Sequence, residues 1–390
     1  MNSRERMLTA IRGGVPDYVP LSFMIFAALR AERNDWFGRI EAQLELGLDA
    51  VADLTWLLPR EGALHRDAPG VPVTLSPEIE IRQWKEDPPG ARYPLLHGEY
   101  ETPDGTLSVA VQQTDDWPYG DEVPLLDDFL VPRCTKYLVT GEQDLPALRR
   151  LLGEPRAEDL EECRELWQRA SEFARERGLL LAGGWGVGAD ALGWLCGLQN
   201  AVLDAVDRPA FLDAVLDVIA GWNRRRMEPL LEVGLDLFVR RAWYEGTAFW
   251  SPQLYRRFLL PRVEREVALV HESGAAYGYI LSVGGLQFAD LLLEAGVDVL
   301  IGVDPVQDHG MDMAQLKATV GEEMGLWGGV NGFVTVERGT SQQVRDAVEE
   351  ALAALGPGGF ILSPVDNVCD PSDAVWDNVR TLIETWKELR

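Results

Sequence analysis

The chain predicts an α/β protein of the (β/α)8 TIM-barrel class, and three observations point there. The phrase Leu-Glu-x-Gly-(Leu or Val)-Asp opens the stretches 44–50, 231–237 and 293–299, each time carrying an amphipathic helix into an apolar run. Those runs, 50–58, 237–244 and 299–303, are continuous rather than alternating, as parallel strands covered on both faces require. Further helix-then-strand units fill the intervals, giving eight in all.

The glycine of each phrase (Gly47, Gly234, Gly296) is the residue type that takes the left-handed conformation ending a helix. The N-terminal stretch reads as an amphipathic helix, and 18–24, introduced by Pro16 and Asp17, is the first expected strand. A helix over 36–46 leads to the second strand, 50–58. Between 61 and 140 repeated prolines break any long helix, and short alternating pieces such as 106–114 predict a β-hairpin region inserted between strands 2 and 3.

Helices resume at Asp144, with 158–177 closed by Gly178 and followed by strand 179–185. Pro209, just after Asp207, marks a helix start that leads to strand 237–244. Ser251-Pro252 caps a long helix to His271. Strands are expected at 275–282, 299–303, 325–330 and 360–363, with helices over 341–355 and 373–388. The expectation is a single barrel domain, 1–390, carrying the insertion 61–140. An open doubly wound sheet competes poorly, because Gly184, Gly186 and Gly188 follow the third strand and no acidic residue is placed for a ribose.

The chain has 390 residues, 63 acidic against 36 basic, and a net charge of −27, which repels nucleic acid and anionic membrane surfaces. Its 46% hydrophobic and 25% charged content is that of an ordinary globular protein. Cys134, Cys163, Cys196 and Cys369 show no CxxC spacing, so a reducing compartment is expected. With no secretory apolar core and no spanning run, the expected location is the cytoplasm. A serine-hydrolase elbow, a P-loop, HExxH and an EF-hand loop are absent from the sequence.

In such a barrel the chemistry sits after the C-terminal ends of the strands. Those ends are Met24, Trp56, Trp185, Tyr244 with Glu245, Ser282, Asp304, Asn331 and Asp366. Trp56, Trp185, Trp243 and Trp327 cluster near them in sequence and suit either a slot for a planar ligand or plain packing. Glu245, Asp304 and Asp366 are candidate proton donors or acceptors, with loop capping as the other reading, above all for Asp304 before Pro305. Of the four histidines, His65, His97, His271 and His309, the last lies in the loop after strand six and is the one expected to act chemically. Arg240 and Arg241 suit a substrate carboxylate or an internal ion pair.

Several stretches resemble the uroporphyrinogen decarboxylase superfamily, and within it the branch of cobalamin-dependent methyltransferases and O-demethylases. The resemblance is carried by SPQLYRRFLLP (251–261), LLLEAGVDVLIGVDP (291–305) followed by Met311-Asp312-Met313, LWGGVNG (326–332) and GGFILSP (358–364). RERMLTAIRGGVPDYVP (4–20) and TPDGTL (102–107) extend it over most of the chain. It implies a (β/α)8 barrel and methyl transfer between a small methyl ether or similar substrate and a corrinoid on a separate protein, since the chain lacks a corrinoid-binding Asp-x-His-x-x-Gly.

In that scheme Trp56, Trp185 and Trp243, with Tyr244, Arg241 and Asn331, hold substrate. Glu245, His309, Asp304 or Asp366, or a bound metal, handles the leaving oxygen.

The chain also departs from the superfamily. Where tetrapyrrole decarboxylases carry an Arg-Gln-Ala-Gly-Arg loop, it reads SFMIFAALRAE (22–32). Where zinc-dependent thiol methyltransferases carry His-x-Cys-Gly and a later Cys, it has Leu281-Ser282-Val283-Gly284 and Asp366. Any zinc would need another donor set, such as Cys369, Asp366, His309 and Glu245. The alternatives are a decarboxylase of a small acid, with Arg240 or Arg241 on its carboxylate, and a non-catalytic ligand-binding barrel.

Overall fold

A computed structural model describes residues 1–23, 25–57, 71, 75–127 and 130–390. Met24, His65 and parts of the expected insertion (61–70, 72–74, 128–129) lie outside the described residues. The strands are β1 (Val51–Asp53), β2 (Glu80–Glu86), β3 (Leu95–Thr102), β4 (Gly105–Gln112), β5 (Cys134–Lys136) and β6 (Leu180–Val187). They continue with β7 (Leu237–Arg241), β8 (Ala276–Ile280), β9 (Val299–Val303), β10 (Gly325–Asn331) and β11 (Phe360–Val365). The chain divides into two compact units, one of Met1–Leu57, Leu166–Gly183 and Leu231–Arg390, the other of Leu58–Glu165 and Gly184–Leu230.

The first unit is built on the parallel sheet, whose order β1-β6-β7-β8-β9-β10-β11 follows the chain, as in folds of the TIM-barrel kind. Helices fall between successive strands, and β7, β8, β9, β10 and β11 are buried along their whole length. The repeated phrase explains how each unit locks to the one before. Gly47, Gly234 and Gly296 all take φ near +80° (81°, 82° and 80°), where a side chain would be strained, and turn the chain out of the helix.

The aspartate that follows then ties the turn to the preceding strand. Asp236 accepts the Leu181 N–H at 3.0 Å and donates its own N–H to the Leu181 carbonyl at 2.9 Å. Asp298 does the same with Tyr277, at 2.7 and 3.0 Å. Asp49 donates its N–H to the Leu21 carbonyl at 2.9 Å, which makes the segment around Leu21 the counterpart of those strands.

That segment is the first expected strand, 18–24, and it departs from the eight-strand expectation. Among the described residues the parallel sheet has seven strands, and 18–25 contributes only isolated parallel bridges, Leu21 with Leu362 and Ile25 with Asn367. Pro20 has no N–H to give a ladder, so only fragments of one form. The second expected strand is also shorter than its apolar run: β1 stops at Asp53, whose side chain accepts the Thr55 N–H at 2.9 Å and opens a 3-10 turn over Leu54–Trp56.

The helix expected from Ser251 to His271 is likewise divided. Ser251 Oγ accepts the Leu254 N–H at 3.2 Å, a π-turn spans Tyr255–Leu259, and the helix Leu260–Glu272 follows. Pro261 cannot donate back into the preceding turn, which favours this widening.

The second unit holds an antiparallel sheet of order β2-β3-β4-β5. β3 and β4 pair from Leu95 with Gln112 to Thr102 with Gly105, where the chain reverses. Its helices include Leu145–Leu151, Leu198–Asp207 and Pro209–Leu231. No helix among the described residues is long and apolar enough to cross a membrane.

One glycine sets a stability test. Gly13 follows the helix Ser3–Ile11 at φ 76°, and a Cβ there would stand 1.8 Å from the Glu322 carbonyl oxygen. Gly13→Ala is expected to destabilise the chain by well over ~1 kcal/mol, combining left-handed backbone strain with that clash. An unchanged thermal midpoint would contradict the close approach.

Candidate active site

Three adjacent strands of the first unit end in a row of polar side chains. Asp304 follows β9, Asn331 closes β10 and Asp366 follows β11, and pairing of Asn331 with Val365 sets the last two side by side. Asp304 is fully enclosed. Its Oδ1 accepts the Val306 and Gln307 N–H groups at 2.8 and 3.1 Å, and its Oδ2 accepts from Asn331 Nδ2 at 2.7 Å. Asn331 in turn accepts the Val334 N–H, capping the π-turn Gly332–Glu337. Glu337 closes this corner by accepting the Cys369 and Asp370 N–H groups at 2.5 and 3.0 Å.

Asp366 differs from Asp304 in being open to solvent and in sitting at φ 69°, a conformation that side chains other than glycine rarely adopt. The protein packed around its inner side pushes its carboxyl above the ordinary aspartate range, and the nearby charges of Asp304 and Glu337 add to that rise. An exposed carboxyl that keeps its proton longer than usual is equipped to give one to a bound molecule.

Sequence reading missed Asp53. It stands at the end of β1, its carboxyl raised by burial against hydrogen bonds from Thr55 and Trp56 that pull the other way. The available signal was the place where the apolar run 50–58 is interrupted by its one acid.

The other predicted residues separate. Glu245, with no exposed surface, has Oε1 at 2.5 Å from Arg240 Nη2 and Oε2 bonded by the Tyr279 hydroxyl. Arg240 reaches Glu266 Oε2 at 2.6 Å through its Nη1, Tyr277 donates to the same oxygen at 2.9 Å, and Tyr255 donates to the Tyr279 hydroxyl at 3.0 Å. Burial, together with the Glu245 and Glu266 charges, pushes the three phenols above the ordinary tyrosine range, so they remain donors. Arg240 is thus committed to internal carboxylates, and Arg241 beside it is buried.

Trp243 and Tyr244 are half-buried in the turn after β7, where the Tyr244 carbonyl accepts from Trp250 Nε1 at 3.0 Å. Trp56 is half-buried in its 3-10 turn, and Trp327 is buried with Nε1 donating to the Ser22 carbonyl at 3.1 Å. Trp185 belongs to the second unit, buried at φ 54° in β6.

His309 is exposed in the loop after β9 and makes no hydrogen bond or ion pair with any described residue, Asp304 included. His271 pairs with Asp298 at 2.7 Å. The four-residue metal set of Cys369, Asp366, His309 and Glu245 is not assembled: no three His, Cys, Asp or Glu side chains among the described residues are grouped to hold a metal ion. Glu245 is drawn away by its buried arginine.

The family model described as uroporphyrinogen decarboxylase (URO-D) matches residues 131–389, two thirds of the chain and the whole stretch from β6 to the last helix. The chain belongs to the uroporphyrinogen decarboxylase family. Among solved structures, this family member is similar to a methyltransferase from Methanosarcina mazei, with a TM-score of 0.64 and 16% identity over 100% of this chain and 99% of that one. It is also similar to a B12-independent methionine synthase from Shewanella sp. W3-18-1, with a TM-score of 0.48 and 9% identity over 95% and 97% of the two chains. No curated protein sequence matches it. The first likeness shows a shared fold.

Proposed function

We propose that this family member is a methyltransferase that moves a methyl group between a small methyl ether, or a similar substrate, and a corrinoid carried by a separate protein. The observation that carries the reading is Asp366, an open carboxyl with a raised pKa at the end of a barrel-type strand. The corrinoid supplies the cobalt centre that exchanges the methyl group. No zinc step enters the scheme, because no three His, Cys, Asp or Glu side chains among the described residues are grouped to hold that ion.

When the carbon–oxygen bond of a methyl ether breaks, the oxygen leaves as an alcohol or phenol once it receives the Asp366 proton, and solvent restores that proton. Asp304, fixed in place by three hydrogen bonds, adds to the rise that keeps the proton on the Asp366 carboxyl. Trp56, Trp243 and Tyr244 offer aromatic faces to the substrate. Asn331 orients the row and His309 is the second group able to exchange a proton. Glu245 acts through Arg240 by holding the turn that bears Trp243 and Tyr244.

The test incubates the purified chain with a panel of methyl ethers and reduced free cobalamin, following the cobalt absorbance. Protein-dependent methylation is expected for at least one ether, and demethylation of methylcobalamin in reverse. No transfer in either direction would defeat the reading. Carbon dioxide released from a small acid would establish the decarboxylase instead, and tight binding without turnover a ligand-binding barrel.

A further inference from the structure

The second unit contains a cavity of about 730 Å3 that plays no part in the scheme above. Its walls come from the helix Leu145–Leu151, which ends in Arg149 and Arg150, and from the helix Pro209–Leu231, which presents Arg225; Pro146, Val218 and Gly221 supply an apolar floor. Arg150 is already neutralised, its Nε at 2.9 Å from Asp104 Oδ2.

Arg225 is not. Its Nη2 donates to the Leu152 carbonyl at 2.8 Å, which fixes the direction of the guanidinium, but no carboxylate among the described residues pairs with it and its sheltered Nε has no partner. Arg149 likewise makes no hydrogen bond or ion pair with a described residue.

A half-buried, orientationally fixed guanidinium without a counter-charge is costly, and the cost is relieved by an anion that accepts from it. A chain of net charge −27 repels anions in general, so an anion held here must be held by local geometry. We propose that this cavity binds a small organic oxyanion, a carboxylate or a phosphate ester, bridged between Arg225 and Arg149 with its carbon skeleton over Pro146, Val218 and Gly221. Glu154 and Asp217 also line the cavity and offset part of its positive charge, which favours a small ligand over a polyanion.

Titration calorimetry at constant ionic strength, with inorganic phosphate, glycerol phosphate and succinate in turn, tests this. Saturable binding of at least one probe is expected, weakened roughly tenfold in Arg225→Gln and further in the Arg149→Gln, Arg225→Gln pair, one charge-assisted contact being lost at each step. The preferred probe identifies the head group. Circular dichroism verifies that the variants fold, and Arg149→Gln, at an exposed helix end, keeps the comparison valid if Arg225→Gln does not. Absence of saturable binding by all three probes, or equal affinity in wild type and the double variant, would overturn the proposal.

Discussion

Arg240→Met is expected to destabilise the protein by ~3–5 kcal/mol, the effect of removing one partner of a buried ion pair. Two acids are affected at once, since Glu245 has no exposed surface and Glu266 is nearly enclosed, and both bond to the same guanidinium at 2.5 and 2.6 Å. Methionine fills much of the arginine stem but offers no donor, so each acid loses a short charge-assisted bond while Tyr279 and Tyr277 go on donating to them. Against a total stability of roughly 5–15 kcal/mol, that is a large fraction.

Urea unfolding of wild type and variant measures the loss directly. The double variant Arg240→Met, Glu245→Gln should recover part of it, because one of the two buried carboxylates that bonded to Arg240 is then neutral. A loss below ~1 kcal/mol at an unchanged denaturant slope would mean that water reaches the trio and that the ion pairs are not structural.

Asp366→Asn is expected to lower kcat for methyl-ether cleavage by about 10²–10⁴-fold, the usual contribution of a positioned acid. The sign of its pH dependence follows from the raised carboxyl pKa. The wild-type acid is competent while protonated, so activity should fall as pH rises through the raised folded-state pKa, and this alkaline limb should vanish in the asparagine variant. Stability changes in the same sense with pH. A carboxyl whose folded pKa lies above its unfolded value contributes most below the unfolded value and loses that contribution as pH climbs through the folded one. Asparagine removes this loss, so the variant should be no less stable than wild type at neutral pH.

Lost activity with retained stability separates a chemical role from a structural one. Full activity in Asp366→Asn with the same pH profile would remove Asp366 from the reaction and leave His309 or Asp53 as the proton donor to test.

Comparison of particular elements shows where sequence reading succeeds. The strands 299–303, 325–330 and 360–363 correspond to β9, β10 and β11, each within a few residues, because each is a short apolar run bounded by glycines or a proline. The first two strands read less well. The 50–58 run is as apolar as the others, yet Asp53 ends it early by capping its own turn, and the stretch containing Pro20 makes bridges where a ladder was expected. Hydropathy carries no record of a missing N–H or of a side chain that competes for one.

For the site, the positions of Asp304, Asn331 and Asp366 at strand ends were legible from the alternation of helix and strand, whereas their states were not. Asp304 is enclosed and bonded by Asn331 from the neighbouring strand, whereas Asp366 reaches solvent and is raised by the protein packed around its inner side, with the charges of Asp304 and Glu337 adding to the rise. Glu245 directly follows a strand in sequence, just as Asp366 does, and nothing local distinguishes the two. What separates them is Arg240 together with Tyr279, which arrives from β8.

Backbone chemistry between close neighbours in the chain, such as a glycine that ends a helix or a serine that caps one, settled much of the order of helices and strands. Solvent access and proton affinity depend on fields and donors contributed by distant segments. Only the folded arrangement of β7 to β11 therefore decided which acid is sealed in an ion pair and which stands open with a raised proton affinity.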